Sequence, residues 1–168
     1  DLADLIVVNA EMDSSFQPKV FEIVEPLVVK SGKPILAVPG EQGFRPAEPV
    51  LIAWDGSEPA SEAVRAAVPL LALSDSVTIY SVDDGSVEKP PEEAAEYLSR
   101  HGIHAEILRD KAPDSDFVEP LLLSKLESGR FSWAVMGAFS KSRLRETLFG
   151  GVTRRMLKQT PIPLFIAH

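Results

Sequence analysis

Cysteine is absent from the 168 residues, which excludes disulfides, thiolate zinc sites and cysteine nucleophiles together. Long apolar runs are missing too: none approaches the ~20 residues that a helix needs to span a bilayer. There is no G-x4-G-K-[ST] and no strand-linked G-x-G-x-x-G, so neither a P-loop nor a Rossmann dinucleotide fingerprint is present. Basic residues are in deficit, 17 against 25 acidic ones, and the net charge of −8 opposes non-specific association with nucleic acid or an anionic membrane. No Ser-His-Asp order, acid–base carboxylate pair or metal cluster stands beside the glycine-rich segments, which argues against an adenylating or hydrolytic enzyme. A cysteine-free chain suits a reducing compartment, and the cytoplasm is the expected location.

What is there reads as an alternation of short strands and helices. Apolar residues make up 45% and charged residues 25%, an ordinary globular balance. β-branched runs bounded by turn residues predict strands at Leu5–Asn9, Pro34–Val38, Pro49–Trp54, Ser76–Val82, His104–Arg109, Trp133–Gly137 and Pro163–Ala167. Most are apolar on both faces, as in a parallel sheet covered by helices on each side. Helical patterns fall at Pro59–Leu73, Pro91–His101, Phe117–Ser128 and Leu148–Gln159, with a weaker one at Pro18–Lys30. The expected fold is α/β: a doubly wound, five-stranded parallel sheet.

One internal repeat sets the domain organisation. Leu5-Ile-Val-Val-Asn-Ala10 aligns with Trp133-Ala-Val-Met-Gly-Ala138 at an offset of 128, and Lys33-Pro-Ile-Leu36 with Ile162-Pro-Leu-Phe165 at 129. Residues 1–40 thus repeat the closing strand, helix and strand of a unit whose full version is residues 48–168, with 41–47 as a linker. A lone strand-helix-strand piece cannot bury both faces of its sheet and must lean on other structure.

Ligands of open doubly wound sheets sit beyond the carboxyl ends of the strands, where the strand order reverses. Two segments end at that edge with unusual residues: Val50-Leu-Ile-Ala-Trp-Asp-Gly-Ser57, and Met136-Gly-Ala-Phe-Ser-Lys-Ser-Arg-Leu-Arg145 leading to Phe149-Gly-Gly-Val-Thr153. The adjacent Gly150 and Gly151 at a helix start let backbone N–H groups approach an anion. Each feature also has a purely structural reading. Asp55 is a good helix N-cap, the glycines permit close helix–sheet packing, and Lys141, Arg143, Arg145, Arg154, Arg155 and Lys158 suit a solvated face. His101 and His104 lack a third ligand nearby and lie in an expected turn.

The run Gly137-Ala-Phe-Ser-Lys-Ser-Arg-Leu-Arg-Glu-Thr-Leu-Phe-Gly-Gly-Val-Thr153, closed by Thr160-Pro-Ile-Pro-Leu-Phe-Ile-Ala167, resembles the C-terminal signature of universal stress proteins. Asp55-Gly-Ser57 resembles that family's opening motif, so the likeness covers residues 48–168, and residues 1–40 resemble the last third of the same unit, as in tandem two-domain members. The resemblance implies an adenine-nucleotide alpha hydrolase-like fold and ATP as ligand, with Mg2+ admitted alongside it. Residue by residue, Asp55 would hold the adenosine part, with Ala53 and Trp54 before it, and Val82 would meet adenine through its backbone. Met136 and Gly137 would floor the pocket, and the backbones of Ser140, Gly150, Gly151 and Val152 would face phosphates. The family's nucleotide-binding pattern is Gly-x2-Gly-x9-Gly followed by Ser or Thr. Here Ser140 takes the place of the second glycine and Gly151 that of the hydroxyl residue.

The expected function is a stress-response protein that binds an adenine nucleotide without strong catalysis; the alternative is a dimerisation or scaffold module with a degenerate pocket. In this family last strands pair antiparallel across a dimer or tandem two-fold axis, which makes Pro34–Val38 and Pro163–Ala167 candidates for such pairing, in a homodimer or a pseudo-dimer. Asn9 stands where the second unit has Gly137, so the first unit carries no pocket signature.

Overall fold

The computed structural model describes residues 2–9, 20–40, 43–138 and 151–168. In chain order the elements are β1 Ile6–Asn9, α1 Val20–Ser31, β2 Ile35–Val38, β3 Val50–Ala53, α2 Glu58–Leu71, β4 Val77–Asp83, α3 Pro91–Arg100, β5 Ala105–Lys111, α4 Val118–Glu127, β6 Trp133–Gly137, α5 Gly151–Gln159 and β7 Leu164–Ala167. Each expected strand and helix is present, with described ends moved by a few residues; the expected starts of α1 at 18–19 and of α5 at 148–150 lie outside the described residues. A single 3-10 turn, Ser115–Phe117, takes up the start expected for α4.

Among the described residues the strands form one seven-stranded sheet in the order β1-β2-β7-β6-β3-β4-β5. The five strands of residues 48–168 are parallel, as the α/β reading requires. Residues 1–40 contribute a second parallel pair, β1 and β2. The two parallel blocks meet where β2 runs antiparallel to β7.

This junction carries the repeat into three dimensions. The β1–β2 register Ile6↔Ile35, Val7↔Leu36, Val8↔Ala37 reappears as Ala134↔Leu164, Val135↔Phe165, Met136↔Ile166. At the antiparallel seam Leu36 stands opposite Phe165, its own counterpart in the repeat. A local two-fold axis therefore passes between these two residues. Last-strand pairing takes place within the chain and occupies β7's outer edge.

Alternation along the strands divides the core. Leu51, Tyr80, Val82, Ala134, Met136, Leu164, Ile166, Ile35 and Ala37 face α1, α4 and α5. Val50, Ile52, Trp54, Ile79, Trp133, Val135, Phe165 and Leu36 face α2 and α3. Both faces of the central strands are buried, which is why they read as continuous apolar runs. Alanines at 60, 63 and 67 bring α2 close to the sheet. The described part of the linker packs on the second unit: Phe44 meets the Trp133 ring edge-on at 5.3 Å, and Ser74 Oγ and Asp75 N donate to Pro46 O and Ala47 O at 2.8 and 2.7 Å.

Candidate functional site

Strand β3 is the switch point of the second unit. From it the chain moves out to β4 and β5 on one side, then returns to β6 and β7 on the other. The helix that follows β3, α2, covers one face of the sheet and the helix that follows β6, α5, covers the other, the arrangement in which such sheets have a crevice beyond the carboxyl ends of the two strands. The register pairs Ala53 with Met136 on β6 and with Tyr80 on β4, with Val82 two residues further along. Ala53, Tyr80, Val82 and Met136 lie on the face covered by α4 and α5, and Val152 of α5 packs against the same cluster. Ala53, small and only half-buried, sits between larger neighbours there. Trp54 does not join them. Alternation turns its ring to the α2–α3 face, where Nε1 donates to Lys89 O at 2.9 Å.

The loop after β3 is built from three short-range features. Asp55 Oδ1 accepts from Ser57 N at 3.0 Å, a side-chain turn natural to aspartate. Ser57, with extended backbone, is the N-cap of α2 and accepts from Ala60 N at 3.3 Å. The capping role considered for Asp55 thus belongs to Ser57, because the helix begins at Glu58, three residues beyond Asp55. Asp55 remains half-buried at the crevice, and a carboxylate offers about four acceptor positions, more than the single bond to Ser57 uses. Gly56 lies between them at φ 77°. A Cβ there would fall 2.1 Å from Lys89 N, so the β4–α3 loop closes against it, and Glu88 N donates to Asp55 O at 3.1 Å.

Gly137 ends β6 beside this loop. A Cβ on it would fall 2.3 Å from Ala60 N, so the first turn of α2 lies on the space a side chain would need. The glycine is required by helix–sheet packing whatever binds in the crevice. Gly151 opens α5, as a glycine at a helix start was expected to, while Ser140 and Gly150 lie outside the described residues, as do Lys141, Arg143 and Arg145. Of the remaining basic residues, Arg155 Nη1 is bonded to Glu119 Oε1 of α4 at 2.6 Å, which makes it a helix–helix tie. Lys158 is exposed.

One polar cluster on the crevice face escaped sequence reasoning. The Tyr80 hydroxyl donates to Asp110 Oδ2 at 2.8 Å, Lys125 Nζ stands 3.2 Å from the same oxygen, and that ammonium lies 5.2 Å from the Tyr80 ring centroid. Burial, reinforced by the Asp110 carboxylate, raises the Tyr80 phenol above its ordinary range. The phenol's hydrogen bond, followed by Lys125, holds Asp110 below the usual aspartate value. The only sequence signal was a tyrosine inside a strand otherwise rich in aliphatics.

The two histidines sit at a helix end. His101 is the C-cap of α3, Gly102 follows at φ 74°, and Gly102 N and Ile103 N donate to Ser99 O and Leu98 O. That is a Schellman closure. Among the described residues no three potential ligands are grouped to hold a metal, and no helix is long and apolar enough to cross a membrane.

No family model and no curated protein matches the chain. Solved structures do. The chain is similar to a universal stress protein from Archaeoglobus fulgidus at 17% identity and TM-score 0.66, over 98% of this chain and 60% of that one. It is similar to a putative universal stress protein from Pseudomonas aeruginosa at 13% identity and TM-score 0.60, over 98% and 63%. It is also similar to a protein of the universal stress protein family from Burkholderia pseudomallei at 20% and 0.51, over 74% of this chain and 98% of that one. The chain thus spans about 60% of the length of the longer relatives. The fold is that of universal stress proteins.

Proposed function

We propose that this chain is a universal stress protein that binds an adenine nucleotide of the ATP type, with or without Mg2+, and acts through association with little or no turnover, in the cytoplasm. Residues 48–168 form the binding unit in this reading, and residues 1–40 are the closing part of a partner unit joined by the linker 41–47. The observation that carries it is the placement of Ala53, Asp55, Met136 and Gly137 together at the β3–β6 switch point, where folds of this kind take their ligands. Asp55 would accept from ribose hydroxyls, the Ala53–Met136 floor and the Val82 backbone would receive the base, and the Gly151 end of α5 would face phosphate. ATP supplies a phosphate-bearing ligand whose occupancy alters the surface offered to a partner.

A non-binding scaffold module is the second reading, and one observation favours it. Gly137 has a packing reason and Asp55 a turn reason, each independent of any ligand. Calorimetry with ATP separates the two. Binding that Asp55→Ala abolishes, with the fold retained by circular dichroism, supports the nucleotide site. No heat of binding, and no nucleotide released from the purified protein on heating, supports the scaffold. Ser140→Gly grades the site further. If serine is forced into left-handed backbone there, the strain of about 1–2 kcal/mol weakens binding roughly 5- to 30-fold, and the glycine variant binds ATP that much more tightly.

A further inference from the structure

An ion pair joins the two helices that cover the crevice face. Arg155 Nη1 of α5 lies 2.6 Å from Glu119 Oε1 of α4. Resting on the nucleotide reading above, we propose that Arg155 is a phosphate ligand held in reserve by Glu119. The pair is then a latch that a phosphate-bearing ligand opens.

Both partners stand towards the carboxyl edge of the sheet. Helix α4 leaves β5, α5 leads into β7, and these strands run in the same direction. Each helix therefore runs from the carboxyl edge towards the amino edge. Glu119 is the second residue of α4, close to that carboxyl edge. Arg155 follows Gly151, the first residue of α5, by four positions, so the two share one face of the helix. Helical side chains lean towards the N-terminus and cover the preceding turn. An arginine at 155 thus covers the first turn of α5, the turn that would face phosphate. Val118 and Val152, in the same two helices, pack on the cluster that contains Val82 and Met136, so the tie lies on the side of the sheet where the base would rest.

The energetics allow the pair to exchange. The Arg155 side chain is 61% exposed and that of Glu119 12%. An ion pair with one partner largely in water is worth little, because solvent screens it. Glu119 also has a second source of stabilisation: it lies in the first turn of α4, where the helix dipole favours a carboxylate. Arg155 is in the opposite position, a cation leaning over an N-terminal turn. A phosphate placed there meets the dipole and the guanidinium together, and it carries more charge than the carboxylate it displaces. Adenosine, which has no phosphate, leaves the latch shut.

Calorimetry with ATP and with adenosine, on the parent chain and its variants, tests the latch. Glu119→Gln is expected to tighten ATP binding about threefold, the worth of a partly exposed pair. Arg155→Met, which keeps an unbranched stem in the helix, is expected to weaken it about tenfold, as loss of a charged hydrogen bond does. Adenosine affinity is expected to stay the same in both, and Glu119→Gln to change nothing in the Arg155→Met background. Arg155→Gln, whose amide can still bond Glu119, is expected to show the same loss with the helix tie kept, and thermal melts confirm that each variant folds. ATP bound by folded Arg155→Met and Arg155→Gln as tightly as by the parent overturns the proposal. A Glu119→Gln gain that survives without Arg155 overturns it too, since that is plain charge repulsion. Adenosine binding with ATP affinities unaltered in every variant overturns the latch alone. No binding of either ligand by any variant overturns the nucleotide reading and the latch with it.

Discussion

At residue scale, two glycines are small for different reasons. Gly56 needs both its left-handed φ and its missing side chain, whereas Gly137 needs only the latter, because α2 lies across it. Gly137→Ala forces a Cβ against the backbone of Pro59 and Ala60, and such overpacking costs about 1–3 kcal/mol. Urea denaturation reads this as a lowered midpoint with an unchanged slope; an unchanged midpoint would mean that α2 shifts freely. The Tyr80–Asp110–Lys125 cluster predicts a pH response of opposite sign at two ends. Asp110 titrates lower in the folded state than in the unfolded chain, so its contribution is present above the unfolded value of about 4 and is lost as the pH falls through the folded value. Tyr80 titrates higher when folded, so its contribution is present below about pH 10 and is lost as the pH rises beyond that. Thermal melts across pH should show both limbs, with Asp110→Asn flattening the acid one. An unaltered acid limb in that variant would assign the loss to other carboxylates.

At element scale the two edges of the sheet are treated differently. Strand β5 carries Glu106, Arg109, Asp110 and Lys111, with Glu106 and Arg109 tied to Arg130 and Glu92. Charges along an edge discourage pairing with another strand. Strand β1, Ile-Val-Val-Asn, carries none. Val7 is 62% exposed, while Val135, its counterpart in the repeat, is fully buried. β6 has β3 beyond it and α2 above it; β1 has neither among the described residues. With no strand beyond β1 among the described residues, this edge predicts concentration-dependent self-association of this chain by light scattering. Val7→Lys should suppress it while changing stability by no more than about 0.5 kcal/mol, since the side chain is largely outside the core. Association unchanged in the lysine variant would place the contact elsewhere.

At the scale of the whole molecule, the seam between β2 and β7 decides whether the chain behaves as one body. Ile35 and Ala37 belong to one side of the core and Leu36 to the other, in clusters that continue through β7 and β6. The described residues of the first segment therefore share their core with the second unit. Unfolding should be a single transition, with circular dichroism and tryptophan fluorescence coincident. Both tryptophans lie in residues 48–168, so an earlier transition seen by circular dichroism alone would show that the first segment melts separately. Their positions differ for ligand work. Trp133 begins β6 opposite Val50 and donates to Glu48 O, at the far end of the sheet, which leaves Trp54 as the reporter of events near Asp55.

The amino-acid sequence by itself determined the elements, their order and the α/β class, because alternation, β-branched runs and turn residues act over neighbouring positions. The resemblance to universal stress proteins implied antiparallel pairing of last strands, and the repeat identified the two strands concerned by making Leu36 and Phe165 equivalent. The β3–β6 switch point was legible for the same reason as the elements, because strand ends are marked by local signals. Only the tertiary structure decided which residues those signals serve. Ser57 rather than Asp55 caps α2, Trp54 faces away from Ala53 and Met136, and Arg155 ties α5 to Glu119. The clasp of Gly56 on Lys89 and the bond from Tyr80 to Asp110 join positions about 30 residues apart. Such contacts follow from where packing brings two strand ends or helices together, and no periodicity along the chain records that distance.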